Sequence, residues 1–161
     1  MMLVYEISEA GTVTAIPIRV NDPKIQAALQ QVREQYQRLG FKRPWVSFLA
    51  FQGGECVGVC GYKTAPQNER VEIFYTPFPE KEIPGFQGTV ADMTRKLWEI
   101  AQFHNRRVDL ITRTSAQESA TTTLLKQLGF SQQGEVDDPQ AGKMWEWSIE
   151  WPGKKKYAPK T

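Results

Sequence analysis

The chain has 161 residues, 40% of them hydrophobic and 24% charged, enough for one well-buried globular domain and too few to expect two. Its formal charge is +2, yet Lys154, Lys155, Lys156 and Lys160 lie in the last eight residues, and without those four the body carries −2. That balance argues against a nucleic-acid partner, which needs a clustered basic face.

The opening "MMLVYEISEAG" has no basic segment, and no apolar run approaches the ~18 residues of a membrane span. The expectation is a soluble, cytoplasmic protein with no membrane partner. "LVYEIS" and "TVTAIPIRV" read as two strands around a turn at Gly11, with Pro17 confining the second to a sheet edge. A helix follows, with Asp22 as N-cap, Pro23 in its first position and Gly40 as its stop. Ile25, Leu29, Val32, Tyr36 and Leu39 recur at helical spacing and form its buried stripe. "WVSFLAFQ" and "ECVGVCGYK" form a hairpin through Gly53-Gly54. Cys56 and Cys60, at i and i+4 in an extended strand, share a face but lie too far apart to bridge. With a single histidine elsewhere they make no zinc set, and no metal is expected.

"RVEIFY" is the next strand. The helix after Gly88 presents Val90, Met93, Leu97, Ile100 and Ala101 on one face, with His104 capping its C-terminal end. "RVDLITRT" then reads as a strand parallel to "RVEIFY" in a β-α-β crossover. "ESATTTLLKQL" is a further helix stopped by Gly129, and "FSQQGEV" and "KMWEWSIEW" close the domain as strands. Trp145, Trp147, Ile149 and Trp151 alternate onto one side of the last strand. That side is core, an acceptor groove or the seam of a homodimer. The chain is read as one domain over residues 1–152 and a solvated basic tail over 153–161.

In order along the chain, "GVCGYKTAPQNERVEIFYTPFPE", "GFQGTVADMTRKLWEIA" and "ATTTLLKQLGFSQQGEV" resemble the GNAT superfamily of acyl-CoA-dependent N-acetyltransferases. The nearest branch is that of the ribosomal-protein N-terminal acetyltransferases. The resemblance implies an α/β (α+β) fold, a mixed and mostly antiparallel sheet with helices on both faces and one parallel crossover. It also implies an enzyme that moves an acetyl group from acetyl-CoA to a primary amine, a small amine or a protein N-terminus, by direct attack. The alternative is a non-catalytic member of the fold that binds CoA or another ligand as a sensor or partner module.

In that family a Q/R-x-x-G-x-G/A signature opens a helix whose first N–H groups, lacking internal partners, hold the coenzyme A pyrophosphate. The matching cradle here is Gly85, Phe86, Gln87, Gly88, Thr89 and Val90. Gly88 takes the place of the first glycine, Gly85 stands where Gln or Arg is usual, and Val90 where Gly or Ala is usual. A plain glycine-rich connection is the competing reading. The strand end "YTPFP" is implied to pair with the pantetheine arm and polarise the thioester carbonyl through a backbone N–H. Tyr75 or Thr76 supplies that donor, unless Pro77, which has none, occupies the position. Glu72 matches the family's base, or is an ordinary strand residue facing solvent or a lysine. Glu118 and Thr121 replace an N-x-x-S pair, Thr121 as the hydroxyl acid and Glu118 beside the pantetheine, or both simply lie in the first turns of a helix. Leu125 stands where many members carry a tyrosine acid.

Overall fold

The computed structural model describes residues 1–13, 22–78 and 86–154, with Phe86 and Gln87 as backbone alone. The elements are β1 (Met2–Glu6), α1 (Pro23–Leu39), β2 (Ser47–Gln52), β3 (Glu55–Tyr62), β4 (Arg70–Pro77) and α2 (Phe86–His104). They continue as β5 (Asp109–Ser115), α3 (Ala120–Gln127), β6 (Ser131–Asp138) and β7 (Gly142–Ile149). The strands form a seven-stranded sheet in the order β1-β2-β3-β4-β5-β7-β6, antiparallel except for β4 against β5. The expected mixed sheet with a parallel crossover is therefore present. Of the second expected strand, Thr12 and Val13 lie outside any strand, and 14–20, with Pro17, fall outside the described residues. By contact density the chain forms two compact units, Met1–Ala65 with Ile73–Leu97, and Pro66–Glu72 with Trp98–Thr161. β4 contributes its later residues to the first and its earlier ones to the second.

In the first unit, α1 begins where Asp22 accepts the Lys24 N–H (2.8 Å) and ends where Gly40, at φ 98°, returns its N–H to the Tyr36 carbonyl. Ile25, Leu29, Val32 and Tyr36 are buried, each worth roughly 1.5–3 kcal/mol. Leu39, expected in the same stripe, is the last residue of the helix and is 39% exposed. The Tyr36 hydroxyl donates to the Ile7 carbonyl and accepts the Ser47 N–H, both at 2.8 Å, pinning the helix to the chain after β1 and the start of β2. Burial raises the pKa of this phenol above its usual value.

Gly53 and Gly54, at φ 58° and 80°, supply the two positive values that a tight β2–β3 turn requires. A register shift follows: Ala50 pairs with Gly58 but Phe51 with Cys56, leaving Val57 as an extra residue. Cys60 lies opposite Phe48 and Cys56 opposite Phe51, three residues apart on β2. The bulge thus turns the two cysteines to opposite faces, correcting the expectation that they share one. Gly58 sits at the bulge with φ 153°, and a Cβ there would stand 2.4 Å from the Thr76 carbonyl and 2.8 Å from Pro77 Cα. α2 packs on this face through Val90, Met93 and Leu97, all fully buried, and the Tyr62 hydroxyl donates to the Leu97 carbonyl at 2.5 Å. Pairing places Tyr62, Cys60 and Gly58 on one face of β3 and Gly61 and Val59 on the other, so α2 and α1 cover opposite faces.

In the second unit, β7 runs between β5 and β6. Trp147 is fully buried and its indole N–H donates to Thr114 Oγ1 (2.9 Å), so the tryptophan side is core at this position. The strand ends at Ile149. Trp151, beyond it, is buried beneath the Arg107 guanidinium, 5.7 Å from the ring centre. Asp109, 3% exposed, accepts the Trp151 N–H (3.0 Å) and forms an ion pair with Lys154. The first lysine of the terminal run therefore belongs to the packed structure rather than to a solvated tail.

Candidate functional site

β4 changes partner along its length. Arg70, Val71 and Glu72 pair in parallel with Asp109, Leu110 and Ile111 of β5, and the pairs with β3 run from Ile73↔Tyr62 to Pro77↔Gly58. Where the parallel ladder ends, the antiparallel one takes over. The Phe78 N–H donates to the Val57 carbonyl at 3.0 Å, which sets the alternation of the β3–β4 ladder. By that alternation the N–H groups of Thr76 and Phe74 point to β3, and those of Tyr75 and Ile73 point to the other edge. Pro77 also falls on that outer edge and offers no N–H. Of the candidates for a carbonyl donor, Tyr75 is aimed outward and Thr76 is not.

Gly85 lies outside the described residues. Phe86, Gln87 and Gly88 are the first three residues of α2, so Gly88 sits inside the first helical turn and not in a loop before the helix. Its N–H is among those that no helical carbonyl satisfies. A Cβ on Gly88 would meet nothing within 4 Å among the described residues. Val90 is fully buried, so its side chain points into the core. Thr89 is buried as well.

Phe74 and Thr76 share the side of β4 that α1 covers, and Glu72 precedes Phe74 by two residues on the same strand. The Glu72 side chain is 22% exposed and stands 3.9 Å from Arg113 Nε. Arg113 also faces Asp138 (3.7 Å) and Glu146 (3.8 Å), and Glu146 meets Arg70 at 3.1 Å. The base candidate is therefore one carboxylate of a compact charge network that includes the Arg113 guanidinium. Arg113 was not singled out in the sequence, because its pairing with Glu72 follows from the Glu72↔Ile111 register alone.

At α3, Ser119 and Thr122 form a reciprocal capping box. The helix starts at Ala120, so Glu118 lies outside it, contrary to the reading that places it in a first turn. Its side chain is 80% exposed and 3.7 Å from Lys126. Thr121 is half-buried, and the cap engages Thr122 in its place. Leu125 is fully buried.

Within the first unit a cavity of about 380 Å³ opens between α1 and the β3–β4 face. Lys24, Ala27, Ala28, Gln31 and Gln35, one stripe of α1, form one wall. Val59, Phe74 and Thr76 form the floor, with Phe78 beside them. The Gln35 carboxamide nitrogen is buried without a hydrogen-bond partner among the described residues. A second helical stripe of small and amide residues beside the apolar one is the signal by which sequence could have flagged this wall.

The search of solved structures returns acetyltransferases. Mutant forms of the spermidine/spermine N-acetyltransferase SpeG from Vibrio cholerae match with a TM-score of 0.66 and 9% identity, over 99% of this chain and 100% of theirs. RimL, a ribosomal L7/L12 α-N-protein acetyltransferase, matches at 0.63 and 13%, over 93% of each chain. This is the GNAT fold. The microcin C7 self-immunity acetyltransferase MccE, solved with acetyl-CoA and AMP, adds a third GNAT match at 0.60 and 13% identity, over 85% of this chain and 76% of its own. No family model and no curated protein matches the sequence. Among the described residues no helix is long and apolar enough to cross a membrane.

Proposed function

We propose that the protein is an acetyl-CoA-dependent N-acetyltransferase acting on a primary amine. The observation that carries this reading is the divided pairing of β4, which leaves β5 after Glu72 and turns the Tyr75 N–H outward ahead of the α2 N-terminus. The outer edge of β4 suits an extended pantetheine arm paired as a strand would be, and the N–H groups of the first turn of α2 suit a pyrophosphate. In this reading the Tyr75 N–H donates to the thioester carbonyl as its oxygen gains charge. Glu72 takes the proton released by the attacking amine, directly or through water, while the new C–N bond forms and the C–S bond breaks. Thr121 returns a proton to the departing thiolate. Holding both reactants in place supplies much of such a rate gain, so the absence of a tyrosine acid at Leu125 does not preclude turnover.

Titrating the thiol released from acetyl-CoA in the presence of an amine panel tests this, alongside the melting shift that acetyl-CoA induces. Amine-dependent thiol release is expected. A second reading, a non-catalytic CoA-binding module, is favoured by the buried apolar Leu125 and by the exposed, Lys126-paired Glu118. A melting shift without thiol release would select it, and no melting shift would overturn both readings.

A further inference from the structure

We infer that Gln52 and Asp92 are positioning residues for acetyl-CoA, their hydrogen bond holding the N-terminal turn of α2 in place for the pyrophosphate. This rests on the acetyl-CoA reading and adds to it two residues outside the cradle. The Gln52 carboxamide nitrogen donates to Asp92 Oδ2 at 2.7 Å, and Arg95 Nη1 meets the other carboxylate oxygen at 3.2 Å. Gln52 is the last residue of β2, and Asp92 stands 40 residues further along the chain. Gln52, Asp92, Arg95 and Gly88 all belong to the first unit.

A helix end binds an anion only while its N–H groups stay aimed at it, since hydrogen bonds weaken steeply with distance and angle. Burial of Val90, Met93 and Leu97 draws α2 onto the sheet, but apolar attraction has no direction and lets a helix slide or roll. Polar links at two points remove that freedom. The Tyr62 hydroxyl ties the Leu97 carbonyl further along the helix. Gln52 ties Asp92, which stands one turn beyond Gly88 on the same helix face. This second link is the one beside the cradle, and a bond accepted by a carboxylate is roughly twice as strong as a neutral one. The Asp92 charge by itself opposes phosphate binding, because it lies one turn from the helix end. What Asp92 contributes to the site is therefore its bond to Gln52 and not its charge.

Calorimetric titration with acetyl-CoA, beside melting curves without ligand, tests this in Gln52→Leu, Gln52→Glu, Asp92→Leu and Asp92→Asn. Gln52→Leu and Asp92→Leu should each raise the Kd of acetyl-CoA roughly three- to tenfold, whatever happens to the melting temperature. Their double variant should bind no more weakly than either one, since both remove the same bond. Gln52→Glu keeps the shape and sets a carboxylate against Asp92. It should weaken binding at least as much, and it reads the same bond if Gln52→Leu does not fold. Asp92→Asn keeps an oxygen for Gln52 and removes the like charge, so it should bind acetyl-CoA at least as tightly as the native chain. A lowered melting temperature with unchanged Kd in the Gln52 variants would mark a purely structural bond and overturn the inference. Asp92→Asn as weak as Asp92→Leu would do the same, and both results leave acetyl-CoA binding intact. If the native chain takes up no acetyl-CoA, the acetyl-CoA reading itself fails and the inference falls with it.

Discussion

Replacing Gly88 with glutamate should move the stability of the free protein and its affinity for acetyl-CoA in opposite directions. Gly88 is the third residue of α2, and its open surroundings accept a side chain without strain. The first turn of α2 has no acidic residue, so a carboxylate there meets the helix dipole, with Asp92 one turn further on as its like-charged i+4 neighbour. The dipole contributes about 0.3–1 kcal/mol, removing a helical glycine adds about 0.5–1 kcal/mol, and the Asp92 repulsion subtracts about 0.2–0.5 kcal/mol. The free protein should gain roughly 0.3–1.8 kcal/mol, which for a chain of this size raises Tm by about 1–7 °C. A pyrophosphate at the same helix end would meet the new carboxylate at about 5 Å. At effective dielectrics between about 20 and 80, each pair of like charges then costs roughly 0.8–3.3 kcal/mol. Two phosphate charges suffice for at least a tenfold loss of affinity, since about 1.4 kcal/mol is one decade. At a concentration near 100 times the native Kd, acetyl-CoA should stabilise the native chain by about 2.7 kcal/mol and the variant by less than about 1.4 kcal/mol. Thermal unfolding of both chains with and without acetyl-CoA measures all four states. A raised Tm with an undiminished acetyl-CoA shift would refute the phosphate cradle, and a lowered Tm would refute the placement of Gly88 in a helical first turn.

Two further outcomes test the fold that carries the site. Gly58→Ala forces a Cβ to within 2.4 Å of the Thr76 carbonyl and 2.8 Å of Pro77 Cα, both backbone atoms that cannot swing away. Chemical denaturation should show a loss of about 2–4 kcal/mol, and an unchanged midpoint would mean that β3 and β4 are not in this register. The thiols supply a pH dependence. Burial pushes Cys60 up to about 12, and burial together with the nearby Asp22 charge pushes Cys56 up to about 11, with the Gly58 carbonyl bond acting against the rise. Above pH ~9 the unfolded chain loses thiol protons that the folded chain keeps, so stability is whole below that pH and falls as pH rises toward 11–12. Denaturation midpoints at pH 8 and pH 10 read this directly. Native protein at pH 8 should resist thiol-specific labelling until unfolded, and rapid labelling of Cys60 would contradict its burial.

The elements whose causes are local could be read from the chain alone. Asp22, Pro23 and Gly40 delimit α1 because capping and helix arrest involve only neighbouring groups, and the Ile25–Tyr36 stripe follows from helical period. The order of strands and helices, and with it the likeness to the GNAT fold, was legible for the same reason. Long-range register was not. Whether Tyr75 or Thr76 aims an N–H outward depends on which residue of β3 lies opposite, and the Phe78–Val57 bond decides it. The faces of Cys56 and Cys60 depended on one extra residue, Val57, that strict alternation does not foresee. Gly88 entered the helix because α2 starts at Phe86, a boundary that no residue type at that point announces. Glu72 gained Arg113 through the parallel register, and the α1 cavity is lined by elements far apart in the chain. Sequence by itself determined which elements form and in what order, since those depend on period and capping. Tertiary structure alone decided which groups face one another, since that depends on register and on the space between elements.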